Sequence, residues 1–304
     1  MRAGHHPDTL RGRLRPLPDP PPFIRRPPTV QSSAAPIDLE RLAGRLAEVV
    51  TAAGAIAAAL FAKGGAQKWT KADDSPVTEA DLAVDRYLAE WLPPLAPGSG
   101  WLSEETADTP DRLGRRHVWV VDPIDGTRAF VDGVPEWVVS VALVEDGKPI
   151  AGIVHNPVKN VTHAAIRGGG ATLNGRPLGV ADAASLDGAR VGGTKSLIAP
   201  LRPRGVKEGA WIYALANRLV KVADGALDAA LARPAAHDWD IAAAHLILEE
   251  AGAKLTDFDG ALPSYNRETT RHGALVAAAP ERHGVLLAAI ANDPTLTAAK
   301  EWKR

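Results

Sequence analysis

From Asp38 onward, apolar residues recur at spacings of three and four: Leu39, Leu42, Leu46, Val49, Ala53, Ile56 and Leu60. That stripe predicts an amphipathic helix opening on an aspartate cap. Its Ala-rich second half is apolar enough to suggest a membrane segment, but Glu48 and Lys63 bracket too short an apolar stretch to span a bilayer. Ser75 to Asp81 then reads as a loop entering a helix that continues to about Leu92. Thr78 is a plausible N-cap, and Asp81 three residues on completes a capping-box pattern.

The periodicity changes after this helix. His117 to Val121 is a short β-branched and aromatic run, bounded by charge before it and by Pro and Gly after it, which predicts a buried strand with Asp122 at its C-terminal end. Val138 to Val144 and Ile150 to His155 flank Glu145-Asp146-Gly147-Lys148-Pro149, a hairpin signal, and a third run reaches Ile166. Gly168-Gly169-Gly170 reads as a turn between strands rather than a phosphate cradle. Ile241 to Leu248 is an apolar helical run ending near Gly252. Gly192-Gly193-Thr194-Lys195-Ser196 looks superficially like a nucleotide-binding loop, but Thr194 separates Gly193 from Lys195 and the G-x-x-x-x-G-K spacing is missing.

The candidate chemistry starts at Asp122-Pro123-Ile124-Asp125-Gly126-Thr127. Pro123 fixes one torsion and Gly126 permits a tight turn, so Asp125 is expected to fold back beside Asp122. Two carboxylates this close repel unless a cation lies between them, and oxygen ligands without Cys or His point to Mg²⁺ rather than zinc. The Ile124 carbonyl offers a further oxygen. Gly126 and Thr127 offer backbone N–H groups to an anion, and the Thr127 hydroxyl can orient a water. Taken alone, the motif reads first as an ordinary Asp-rich turn.

Further acids lie elsewhere. Glu104 and Glu105 follow the apolar pair Trp101-Leu102, and Asp240 in His237-Asp238-Trp239-Asp240 sits where the helix over Ile241 to Leu248 begins. Asp240 either caps that helix or ligates a metal from it. Four blocks then stand in order: S-P-V-T-x-A-D, S-E-E, V-D-P-I-D-G-T, and W-D-x-A-A followed by E-E-A-G. Together they resemble the inositol monophosphatase superfamily over about residues 38 to 290, and within it the 3'(2'),5'-bisphosphate nucleotidase branch.

The resemblance implies a layered α-β-α-β-α sandwich of the α+β / α/β kind and a Mg²⁺-dependent phosphomonoesterase with two or three ions per active site. Glu104, Asp122, Asp125 and Asp240 match the family's metal carboxylates, and Ile124 matches the residue that ligates through its carbonyl. Asp81 and Thr127 match the pair that orients and deprotonates the attacking water, with Glu104 assisting. Phosphate-monoester hydrolysis is very slow uncatalysed, so a site must both activate water and neutralise the leaving oxygen. Two cations about 3.5 to 4 Å apart serve both needs, with Asp122 as the expected bridge. Lithium sensitivity and a homodimer are further expectations from the family.

Composition is consistent with a globular enzyme: 304 residues, 45% hydrophobic and 23% charged. A net charge of −1 provides no field for a polyanion, so a nucleic-acid polymer is not an expected partner. With no cysteine, disulfides and thiolate chemistry are excluded, and a cytoplasmic location is the simplest expectation. Residues 1–36 hold nine Pro, six Arg and only Asp8 and Asp19 as acids, which reads as a disordered tail and neither a signal peptide nor a membrane span. The linker near Ala181 to Leu186 is expected to divide an N-terminal α+β half, residues 37–183, from a C-terminal α/β half, residues 184–304.

Specificity within the family is expected from Gly193 and Thr194 and from the segment before Asp240. Inositol-specific members resemble one another in a Glu about seven residues before the metal Asp; this chain has Arg233. A guanidinium suits a second phosphate better than a polyol. That favours a small phosphorylated substrate with two phosphates, 3'-phosphoadenosine 5'-phosphate, hydrolysed to AMP. Arg128-Ala129-Phe130 departs from the nucleotidase pattern, where a basic residue followed by Glu is common, and fits histidinol-phosphate phosphatases equally well. Inositol-1-monophosphatase activity is the other alternative. A non-catalytic regulatory binder on the same scaffold is remote, because Asp81, Glu104, Asp122, Asp125, Thr127 and Asp240 are all intact.

Overall fold

A computed structural model describes residues 37–64, 68–70, 76–181 and 183–300. The expected disordered tail and Ser75 lie outside the described residues.

The chain opens with helix α1 (Leu39–Ala62), whose N-cap Asp38 accepts the Arg41 N–H at 3.0 Å. A small hairpin, β1 (Lys68–Thr70) and β2 (Pro76–Thr78), leads into α2 (Glu79–Trp91). An apolar stretch too short to span a bilayer was expected here; helix α1 is instead long and apolar enough to cross a membrane by length and composition. Its apolar stripe, Leu42, Leu46, Val49, Val50, Ala53 and Ala57, is buried. With α2, it packs on one face of a seven-stranded sheet.

That sheet runs β3 (Gly100–Ser103), β4 (His117–Asp125), β5 (Val138–Glu145), β6 (Lys148–Asn156), β7 (Val161–Ile166), β8 (Gly170–Leu173) and β9 (Arg176–Leu178) in simple spatial order. Every neighbouring pair is antiparallel except β3 with β4. The hairpin expected between Val144 and Ile150 is β5–β6. A short helix, α3 (Thr127–Val131), links β4 to β5.

A second sheet has the order β11 (Lys207–Glu208), β10 (Arg190–Gly192), β12 (Ala229–Ala232), β14 (Leu275–Ala278), β13 (Lys254–Asp257). Helices α5 (Leu215–Ala223) and α6 (Asp238–Glu250) lie between the two sheets and share one core with both. Helices α4 (Lys195–Ile198), α7 (Pro280–Ala291) and α8 (Pro294–Ala298) cover the outer face. The layers are therefore α-β-α-β-α.

The middle layer is tightly fitted. A Cβ on Gly152 of β6 would come within 3.0 Å of the Ala243 Cα and carbonyl oxygen of α6, so only glycine lets that helix lie this close to the sheet. Contact at that distance fixes α6, and with it Asp240 in its first turn, relative to the strands that carry the other acids.

Candidate active site

One strand was expected to end at Asp122; β4 instead continues to Asp125. Asp122 faces Ser140 and Asp125 faces Val138, so three steps on β4 match two on β5 and the extra residue forms a bulge. Residues three apart on a regular strand point to opposite faces. The bulge removes that alternation and brings both carboxylates to one side. Gly126 completes the turn at φ +95°, a conformation open to glycine at no steric cost. The Ile124 N–H donates to Asp122 Oδ1 at 3.0 Å, and the Thr127 hydroxyl lies 3.1 Å from the Ile124 carbonyl oxygen, fixing that carbonyl within the turn.

Carboxylate oxygens of Asp122, Asp125 and Asp240 all lie within 4.8 Å of one another. Asp240 occupies the first turn of α6, where its Oδ2 accepts the His237 N–H at 2.6 Å in a capping box. Of the two roles expected for Asp240, the cap is therefore present, and its carboxylate also lies in the acid cluster. Glu104 falls outside the 4.8 Å cluster but sits beside it. Parallel pairing sets Ser103 against Val121, and the Glu104 N–H donates to the Val121 carbonyl at 3.2 Å.

Thr127, the first residue of α3, places its hydroxyl 3.3 Å from Asp81 Oδ1. Asp81 caps α2 at the same time: its Oδ2 accepts the Thr78 N–H at 2.8 Å and the Thr78 hydroxyl at 2.5 Å. Asp81 and Asp122 are each 1% exposed, so neither is an ordinary surface acid.

Electrostatics follow from the crowding. Burial raises the Asp122 carboxyl well above the usual carboxylate range, and the charges of Glu104, Asp125, Asp240 and Asp81 raise it further. Burial lifts Asp125 to about 7, against two backbone hydrogen bonds that pull it down. The donor set is hard oxygen throughout, and its members repel one another. A divalent cation with oxygen preference fits these residues on both counts.

The inositol monophosphatase family model matches residues 38–295. The chain belongs to the inositol monophosphatase family. It is a phosphomonoesterase. It is 40% identical over 205 residues to a histidinol-phosphatase of Mycobacterium tuberculosis, covering 63% of this chain and 77% of that protein. It is 32% identical over 208 residues to the 3'(2'),5'-bisphosphate nucleotidase CysQ of Aggregatibacter actinomycetemcomitans, covering 65% and 77%. Among solved structures, the extragenic suppressor protein SuhB of Bartonella henselae superposes with a TM-score of 0.72 at 26% identity, covering 81% of this chain and 96% of that one.

Three groups at this family member's site escaped the sequence reading. The Leu215 and Ala216 N–H groups, which open α5, donate to the two Asp125 oxygens at 3.1 and 2.6 Å. Backbone amides of Ala and Leu carry no motif, so nothing in the residue types announced them. Arg218, one turn further on, is 8% exposed and contributes positive charge that lowers the Asp125 carboxyl. Asp85 on α2 accepts the Ser103 hydroxyl at 2.6 Å and the Thr106 hydroxyl at 2.8 Å, bracketing Glu104 and Glu105.

The expected substrate residues are more dispersed. Gly193 and Thr194 follow β10, and Gly193 lies against β12, where a Cβ would come within 3.0 Å of the Leu231 carbonyl oxygen. Arg233 follows β12 directly and is exposed. Since β10 and β12 run parallel, all three sit at the same end of the second sheet. The glycine turn at 168–170 is occupied by the protein itself, as the Gly168 and Gly170 N–H groups donate to the Glu250 carboxylate at 2.7 and 2.8 Å.

Proposed function

We propose that this phosphomonoesterase uses Mg²⁺, two or three ions per site, which Glu104, Asp122, Asp125, Asp240 and the Ile124 carbonyl would hold. The observation that carries this reading is the convergence of Asp122, Asp125 and Asp240 within 4.8 Å at a buried turn. When bound, such ions lower the pKa of a water and stabilise charge on phosphate and leaving oxygens. The chain's own residues do the rest. Thr127 and Asp81 hold the attacking water and take its proton, the hydroxyl 3.3 Å from the carboxylate that receives it. Gly126 and Thr127 present backbone N–H groups to the phosphate.

The test is Asp122→Asn. Turnover falls below detection at saturating Mg²⁺ while the circular-dichroism spectrum and melting temperature stay near those of the native protein. Appreciable turnover by a folded Asp122→Asn protein would overturn the role of Asp122 in holding the metal.

For the substrate, we infer 3'-phosphoadenosine 5'-phosphate, with Arg233 and the Gly193-Thr194 turn taking the phosphate that is not hydrolysed. The exposed guanidinium seven residues before Asp240 supports it. Histidinol phosphate is the second reading, favoured by the 40% identity to a histidinol-phosphatase. Phosphate release from these two esters and from inositol-1-phosphate decides between them; a preference for inositol-1-phosphate would sink the first assignment. Lithium inhibition, a homodimer and a cytoplasmic location complete the proposal, which rests for these on the family resemblance.

A further inference from the structure

We propose that Trp211 and Tyr213 form a ring-recognition edge of the active site, selecting phosphomonoesters whose leaving group carries a flat heteroaromatic ring over those with a saturated polyol. This deepens the phosphomonoesterase reading and rests on it.

Both side chains face water, Trp211 at 55% and Tyr213 at 39% exposure, although the large apolar residues of this chain are mostly buried. They contact each other edge to face, with ring centroids 5.9 Å apart and planes at 77°. Exposed aromatic pairs lose area to water unless something covers them, and such patches mark binding surfaces. A paired Trp and Tyr is also a low-entropy platform, since each ring has two side-chain torsions and the partner restricts them.

Their position links them to the site. Between them, Ile212 is buried, and its carbonyl accepts Arg218 Nη1 at 3.3 Å. Ala214 touches the metal turn: a Cβ on Gly126 would lie 3.2 Å from the Ala214 Cβ. Immediately after it, the Leu215 and Ala216 N–H groups hold Asp125. Consecutive Cα atoms are about 3.8 Å apart, so Tyr213 lies within roughly 8 Å of the Leu215 backbone that grips the carboxylate. The segment is thus tied down at Ile212 and at Leu215, and its two exposed aromatic side chains are carried on a backbone fixed next to the amides that grip Asp125.

The two esters favoured above share the chemistry this edge would read. In each, a planar heteroaromatic ring stands the same few bonds from the phosphorus, an imidazole in one and a purine in the other. Stacking on such a platform tolerates either ring, because every heteroaromatic base presents a π face. A cyclitol presents only C–H and O–H groups and gains little from it.

The experiment compares 3'-phosphoadenosine 5'-phosphate and histidinol phosphate with glycerol 2-phosphate on the Mg²⁺-loaded enzyme. Trp211→Ala and Tyr213→Ala are each expected to raise KM for the ring-bearing esters about tenfold, with kcat changing far less. The ratio of kcat/KM, ring-bearing over ring-free, falls by a similar factor. Trp211→Phe and Tyr213→Phe restore most of the ratio, which a defect in folding would not. An unchanged ratio overturns the proposal, as does an equal loss on every ester. Size-exclusion chromatography showing that either alanine variant splits a dimer, with activity lost uniformly, would reassign the rings to an interface between copies. Native enzyme inactive on every ester would instead defeat the phosphomonoesterase reading itself, which keeps the two failures distinguishable.

Discussion

The Ala216 backbone N–H meets the Asp125 carboxylate at 2.6 Å, joining the first turn of α5 to the bulge of β4 across 91 residues of sequence. The bond pulls against burial, which dominates and leaves the Asp125 carboxyl at about 7. The sign of the pH effect follows. In the metal-free protein, Asp125 keeps its proton up to about pH 7, whereas the unfolded chain releases it near the ordinary Asp value of 3.8. Between those values the folded state binds more protons, so the stability of the metal-free protein falls as pH rises through that window.

Mg²⁺ competes with that proton, so its binding should stabilise the fold more at pH 8 than at pH 5. Thermal melts with Mg²⁺ or with chelator at the two pH values are the measurement. Equal Mg²⁺-dependent shifts in melting temperature at both would show that Asp125 does not exchange a proton for the cation.

Asp81 holds two roles that substitution can separate. Thr127→Ala should reduce kcat by about 10²- to 10⁴-fold, the usual range for losing part of a proton-transfer system, with little change in melting temperature. Asp81→Asn keeps an oxygen to accept from Thr78 but loses the base, so kcat should fall by a similar factor while α2 stays capped. Asp81→Ala loses both and leaves the buried Thr78 donors without their acceptor, adding about 1 to 3 kcal/mol of destabilisation. If Asp81→Asn and Asp81→Ala proved equally stable and equally slow, the cap would contribute nothing.

What was legible in the sequence was local. Asp38 and Thr78 are caps whose partners lie within three residues, and the hairpin between β5 and β6 closes through its own turn residues. The α-β-α-β-α layering came from the resemblance of four spaced motifs rather than from periodicity. The second sheet was nearly silent. Strands β10 and β11 have three and two residues, and β12 is Ala229-Ala230-Leu231-Ala232, a helix-favouring composition held as a strand by pairing with β10 and β14. The β4 bulge was equally hidden, because it exists only relative to β5. At the site, side-chain acids could be read from the chain, whereas the Leu215 and Ala216 amides could not, since every residue has one.

The glycine turn at 168–170 supplies a stability test independent of catalysis. Its amides hold Glu250 at the C-terminal end of α6, tying the helix to the β7–β8 connection. Charge-assisted bonds of this kind contribute about 1.5 to 3 kcal/mol each where shielded, and Glu250 is only partly buried, so Glu250→Ala should cost about 1 to 3 kcal/mol in total. The melting temperature drops by several degrees, while KM for any ester is unaltered. A raised KM with unaltered stability would mean that the turn does contact substrate.

Arg233 offers the sharpest test of the substrate. It follows β12 at the sheet end shared with Gly193 and Thr194, and it is exposed. Arg233→Glu replaces attraction by repulsion toward a dianionic group, so kcat/KM for 3'-phosphoadenosine 5'-phosphate should fall at least about tenfold. Inositol-1-phosphate has no second phosphate to repel, and a carboxylate accepts hydrogen bonds from hydroxyls, so its hydrolysis should hold steady or improve. The native enzyme should also lose affinity for the bisphosphate more steeply than for inositol-1-phosphate as salt rises, because an exposed ion pair is screened. Loss of the two activities in equal proportion, or equal salt dependence, would assign Arg233 to the surface and leave the choice of ester to the rest of the site.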